Sequence, residues 1–125
     1  MRKFNRENVL SGDNFAKHVA TKVFAKNIMI NNQIKNHINY DLSNIDFGDI
    51  IFCKTDSVTT LFQKIQNYDK SYKIKVITHE SDYPINKKVF DLRPACIDKW
   101  YAVNVEYEHE DLIPIPIGLA NYFCT

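Results

Sequence analysis

The stretch GDIIFCKTDSVTTLFQKIQNYDKSYKIKVITHE, residues 48–80, decides the fold. Behind the turn residues Gly48-Asp49, Ile50-Ile51-Phe52-Cys53 is a short unbroken apolar run, the pattern of a strand covered on both faces of a parallel sheet. Lys54-Thr55-Asp56-Ser57 follow with residues suited to helix capping, and Val58, Leu61, Phe62 and Ile65 then recur at i, i+3, i+4 and i+7 on one helix face. A polar gap containing Asp69, Lys70 and Ser71 leads into Lys73–Thr78, a second strand. Strand, helix and strand in succession define a βαβ unit with parallel strands and a right-handed crossover.

Downstream, periodicity stops at Glu80-Ser81-Asp82-Tyr83-Pro84, a loop at the carboxyl end of the second strand. A short helical piece is expected through Lys88, Val89 and Phe90. Residues 99–104 and 111–115 read as two further strands, and Pro114 puts the last near an edge or keeps it very short. Upstream, Phe15, Val19, Val23 and Phe24 sit at helical spacing and predict a helix from Gly12 to about Asn27. Residues 28–47, rich in Asn and Asp, predict a largely irregular connection. The fold class is therefore α/β with a mostly parallel sheet flanked by helices. The chain, 1–125, is one domain, with a helical and irregular lead-in over 1–47 and the βαβ core and further strands over 48–125.

Composition agrees: 45% apolar and 25% charged residues suit one globular domain. Sixteen Lys and Arg against fifteen Asp and Glu leave a net charge of +1, so no global field draws the protein to nucleic acid or an anionic membrane. With no basic stripe or recognised motif, nucleic acid is not an expected partner. No apolar stretch reaches the ~20 residues of a membrane span. Cys53, Cys96 and Cys124 cannot all pair within the chain and form no CxxC motif; with no signal-peptide stretch, free thiols and a cytoplasmic location are expected.

In open parallel sheets ligands bind beyond the carboxyl ends of the strands, where loops and helix N-termini converge. That rule selects Lys54–Ser57, His79–Asp82, Asn104 and the segment from Gly118 to Asn121 as four polar clusters on one rim. Imidazole and carboxylate at His79, Glu80 and Asp82 could share a proton or bind a cation, but Asp56, His109 and Cys124 lack the spacing of a third ligand, so no metal is expected. The structural alternative has Ser81 and Asp82 bonding backbone amides within their own loop. Lys54, Thr55 and Ser57 are residue types of a phosphate cradle, yet neither GxxxxGK[ST] nor GxGxxG occurs and the chain has only three glycines; capping is the better reading and no cofactor is expected. Trp100 begins an apolar strand and reads as core, and Cys53 lies within an apolar run, unlike a reactive thiol.

The series KVITHESDYPI, then DKWYAVNVEYEHEDLIPIPIGLAN, resembles a group of bacterial and viral glycosyltransferase-like proteins related in style to the exostosin family. Their shared phrase is similar to a strand, THxSD, a W-x-x-x-N segment and IPIG. The match covers roughly residues 46–121, and its ordered spacing is more specific than any single piece. The resemblance implies a Rossmann-like domain, one of two that form the enzyme around a cleft, with the other domain holding most of the nucleotide-sugar. Matching residues are His79, Ser81, Asp82, Trp100, Asn104, Pro116 and Gly118. For His79, Asp82 and Asn104 it implies a place lining the cleft. The chain ends seven residues beyond Gly118, where such a fold leads into more structure, so it is expected to be incomplete.

Two functions follow as expectations. The first is the N-terminal, acceptor-side half of a glycosyltransferase, completed by a second domain or subunit and taking a nucleotide-sugar and a carbohydrate acceptor. His79 and Asp82 are its candidate catalytic groups, while Asp56, Asn104 and Gly118 are its candidate substrate contacts. The second is a noncatalytic binding or assembly module using the same rim.

Overall fold

The computed structural model describes residues 20–42 and 44–115. Within them a six-stranded sheet has the order β2-β1-β3-β4-β5-β6. Its strands are β1 (Lys22–Ile30), β2 (Gln33–Ile38), β3 (Ile50–Lys54), β4 (Ile74–His79), β5 (Ile97–Ala102) and β6 (Leu112–Pro114). Only the β1–β2 pair is antiparallel; β1–β3, β3–β4, β4–β5 and β5–β6 are all parallel. Helix α1 (Val58–Ile65) joins β3 to β4, and the single turn α2 (Lys87–Phe90) lies between β4 and β5.

The βαβ unit forms as its residue pattern requires. Along β3, Ile51 and Cys53 face the large core while Phe52 faces a second, smaller one, and all three are buried. β4 alternates likewise: Ile74 and Val76 enter the large core and Ile77 the small one. Val58, Leu61, Phe62 and Ile65 of α1 and Phe90 of α2 share the large core with Trp100. Each such buried side chain contributes about 1.5–3 kcal/mol from surface removed from water. Both helices thus pack on the same face of the sheet, and the parallel strands β1-β3-β4-β5-β6 follow one another without reversal. Among the described residues there is consequently no switch point at which helices diverge to opposite faces, the crevice that doubly wound sheets use for ligands.

Trp100 is fully buried, as its strand position predicts. Its indole N–H donates to Thr78 Oγ1 at 2.9 Å, and its ring meets Phe62 edge-on and stacks beside Phe90.

The N-terminal region differs from expectation. Residues 22–27, the second half of the expected helix, belong to β1, and the connection expected to be irregular contains the rest of β1 and all of β2; residues 12–19 of that helix lie outside the described residues. Two features favour the hairpin over the helix. KVFAKNIMI is rich in β-branched and aromatic residues. Asn31 and Asn32, both at positive φ, make the two-residue turn whose twist matches paired strands, with Ile30 opposite Gln33.

Smaller differences concern ends and caps. β5 starts two residues before its expected position and stops at Ala102, because Asn104 at φ 56° turns the chain away. Thr55-Asp56-Ser57 form a 3₁₀ turn into α1 rather than a side-chain cap: Ser57 makes no capping bond and accepts instead from Asn36 Nδ2 at 3.3 Å. α2 is capped by Asn86, which accepts from Val89 N–H at 3.0 Å. β6 is the outer strand of the described sheet, where Pro114, opposite Ala102, can lack an N–H.

Candidate functional site

Parallel strands bring their carboxyl ends to one edge, so the segments after β3, β4 and β5 meet there. Ser81 is the junction. Its hydroxyl donates to Asp56 Oδ1 and accepts from Tyr83 N–H, and its carbonyl accepts from Asn104 Nδ2 at 2.9 Å. Three clusters selected from the sequence therefore join into one rim. Asp56 is half exposed, with Lys54 Nζ 3.8 Å from its second oxygen, a contact worth at most about 1 kcal/mol at the surface. The loop's internal bonding falls to Ser81; Asp82 is exposed and makes no hydrogen bond or ion pair among the described residues.

His79 sits differently. It ends β4, is 6% exposed, and its Nδ1 accepts the Glu80 backbone N–H at 2.8 Å. That bond leaves the proton of the neutral ring on Nε2. Burial pushes its pKa below the ordinary histidine value. The imidazole is thus held neutral with its basic lone pair already engaged, and the His79 backbone carbonyl accepts from Thr55 Oγ1 at 3.5 Å. Gly118 lies outside the described residues.

A part of the rim absent from the sequence reading is the hairpin. β1 pairs with β3 only over Lys22–Ala25 and runs on past the end of β3 with β2 beside it. The Asn27 N–H, left without a ladder partner there, donates to Glu80 Oε1 at 3.0 Å. Asn36 on the other strand reaches Ser57. The signal for this arm was present in Asn31-Asn32 between two β-prone runs.

Between the 3₁₀ turn and the segment after Pro84 lies a groove of about 390 Å³, within the range of small-ligand sites. Thr55, Asp56, Thr59, Tyr83, Asn86 and Lys88 supply its polar groups, and Tyr83 is 52% exposed. Asp56 lines this groove; His79, Asp82 and Asn104 do not. Elsewhere, burial pushes the Cys53 thiol well above the ordinary range, the opposite of an activated nucleophile. Among the described residues no three His, Cys, Asp or Glu side chains converge as metal ligands, and no helix is long and apolar enough to cross a membrane.

Fold and rim define an α/β protein built on a mostly parallel six-stranded sheet with a polar groove at its carboxyl edge. Comparison of the chain with protein-family models, with curated proteins and with solved structures finds no match.

Proposed function

We propose that the chain is a Rossmann-like module that binds a hydroxyl-rich acceptor at the carboxyl rim and serves as the acceptor-side half of a sugar-transfer unit. Its nucleotide-sugar donor is held by a second domain or subunit. The observation that carries this reading is the hydrogen-bonded set Asp56, Ser81 and Asn104 beside a groove that exposes Tyr83. A fixed carboxylate accepts hydrogen bonds from sugar hydroxyls, and an aromatic ring covers the apolar face of a pyranose. In the completed unit Asp82, the exposed carboxylate of the loop, takes the acceptor's hydroxyl proton as general base. His79 positions the loop, since proton transfer to Nδ1 would first break its bond to Glu80.

The same His79 geometry favours a second reading, a binding module with no catalytic duty, because this imidazole at the rim is unsuited to act as a base. A single experiment separates the readings. The full chain is titrated with monosaccharides by calorimetry, then incubated with an acceptor and UDP-glucose, UDP-galactose or UDP-N-acetylglucosamine while product is followed. Saturable saccharide binding, weakened roughly tenfold by Asp56→Asn through loss of a charge-assisted hydrogen bond, supports the groove as the acceptor site. Turnover by the chain alone, lost in a folded Asp82→Ala variant, replaces the half-unit with an autonomous enzyme. A folded chain that binds no saccharide overturns both sugar readings.

A further inference from the structure

The rim groove does not end at α1. A second concavity of about 400 Å³ runs on from it beside Phe62, Gln63, Gln66 and Pro94, and the two share Thr59 and Leu92 on their borders. Side by side along the helix from Asp56, the two make a candidate trough. From Thr59 to Gln66 alone the helical rise gives about 10 Å, longer than one sugar ring.

The chemistry changes along it. The rim half carries Asp56 and Lys88, whereas the helix half contains no ionisable side chain. Thr59, Gln63 and Gln66 are exposed at i, i+4 and i+7 on one face of α1 and its continuation, flanking the Val58–Leu61–Phe62–Ile65 stripe that enters the core. Hydroxyl and amide groups both donate and accept, as sugar hydroxyls do, and Leu92 and Pro94 supply apolar surface beside them. An extended peptide gains its affinity from ladder bonds to a sheet edge, and a helical one from apolar anchors in a hydrophobic groove. The trough's wall is a helix whose backbone bonds are internal, so no ladder is on offer, and its exposed face is polar.

We infer that the trough takes an extended, uncharged oligosaccharide, its end sugar at the Asp56 rim and the following sugar residues along Thr59, Gln63 and Gln66. This rests on the acceptor reading of the rim and names its ligand class. The test titrates the full chain with malto-, cello- and chito-oligosaccharides from mono- to tetrasaccharide, and with a Ser-Pro repeat peptide as control. In at least one series affinity rises with each sugar residue up to the trisaccharide. Gln63→Ala combined with Gln66→Ala, both at exposed positions, lowers trisaccharide affinity roughly tenfold and leaves monosaccharide affinity unchanged. Affinity independent of chain length, or a double variant that binds trisaccharide normally, overturns the trough while the rim reading stands on its monosaccharide binding. Binding of the peptide alone, or of nothing, overturns both.

Discussion

Asn104 holds the rim together in two ways that substitution can separate. Its Nδ2 donates to the Ser81 carbonyl at 2.9 Å, and its backbone, at φ 56°, lies in the left-handed region that Asn tolerates better than most residues. Asn104→Ala loses the hydrogen bond, about 1 kcal/mol, and forces a Cβ-bearing residue without a local hydrogen-bonding group into that region, about 1–2 kcal/mol more. Asn104→Gly loses the same bond but accepts the backbone; its extra freedom in the unfolded chain costs about 0.4–1 kcal/mol. Alanine should therefore destabilise by about 2–3 kcal/mol and glycine by about 1.5 kcal/mol. Urea unfolding followed by far-ultraviolet circular dichroism resolves the gap: with a slope near 2 kcal/mol per molar, about 1 kcal/mol moves the midpoint by roughly half a molar. An alanine variant as stable as the glycine variant would refute the argument from backbone strain. If both unfold with wild-type midpoints, the tie to Ser81 contributes nothing.

Thr78→Val keeps the side-chain shape but orphans the buried Trp100 indole N–H, which should cost about 1–3 kcal/mol in the same unfolding assay; a loss below about 0.5 kcal/mol would show that the indole finds another acceptor. Stability should also depend on pH through His79. Burial holds the folded-state imidazole below its ordinary value, so the unfolded chain binds the proton first: stability is complete above about 6.5 and falls as pH drops below it, levelling off under the folded-state value. His79→Gln should flatten that decline, and an unchanged slope between about pH 7 and 5 would assign it elsewhere. Burial also tends to raise the Asp49 carboxyl, but hydrogen bonds from Lys22, the Asp46 N–H and Thr21 outweigh it and hold the group below the carboxylate range, adding a further loss of stability in acid as pH falls through and below about 4. Cys53 and Cys96, both buried, should react with a maleimide only as the protein opens; labelling of either in the native state at the rate of a free thiol would contradict their burial.

The central half of the fold was legible because two periodicities sit side by side with little noise. Four apolar residues in a row at 50–53 and a clean i, i+3, i+4, i+7 stripe from Val58 leave one arrangement in which both are buried. Parallel pairing then brought Asp56 and Asn104 to the same loop as His79, as the strand-end rule requires. The hairpin was not legible from apolar spacing, because Val23 and Phe24 fit a helical stripe that starts at Phe15 as well as they fit a strand; turn chemistry at Asn31-Asn32 was the stronger signal. The state of His79 was beyond sequence altogether. A histidine at a strand end can point its Nδ1 anywhere, and here the ring folds back onto the next residue's amide.

A hairpin of two strands is marginal by itself in water. The one here reaches about 17 Å past Ala25, five residues at strand rise, and it is tied to the body near its base, where Asn27 meets Glu80 and the opposite Asn36 meets Ser57. Its order is therefore coupled to the state of the loop that carries Ser81 and Asp82. Anything that tightens this loop steadies a lever whose tip bears Met29 and Ile34 in the open, and amide protection along β2 becomes a remote gauge of what happens at the rim.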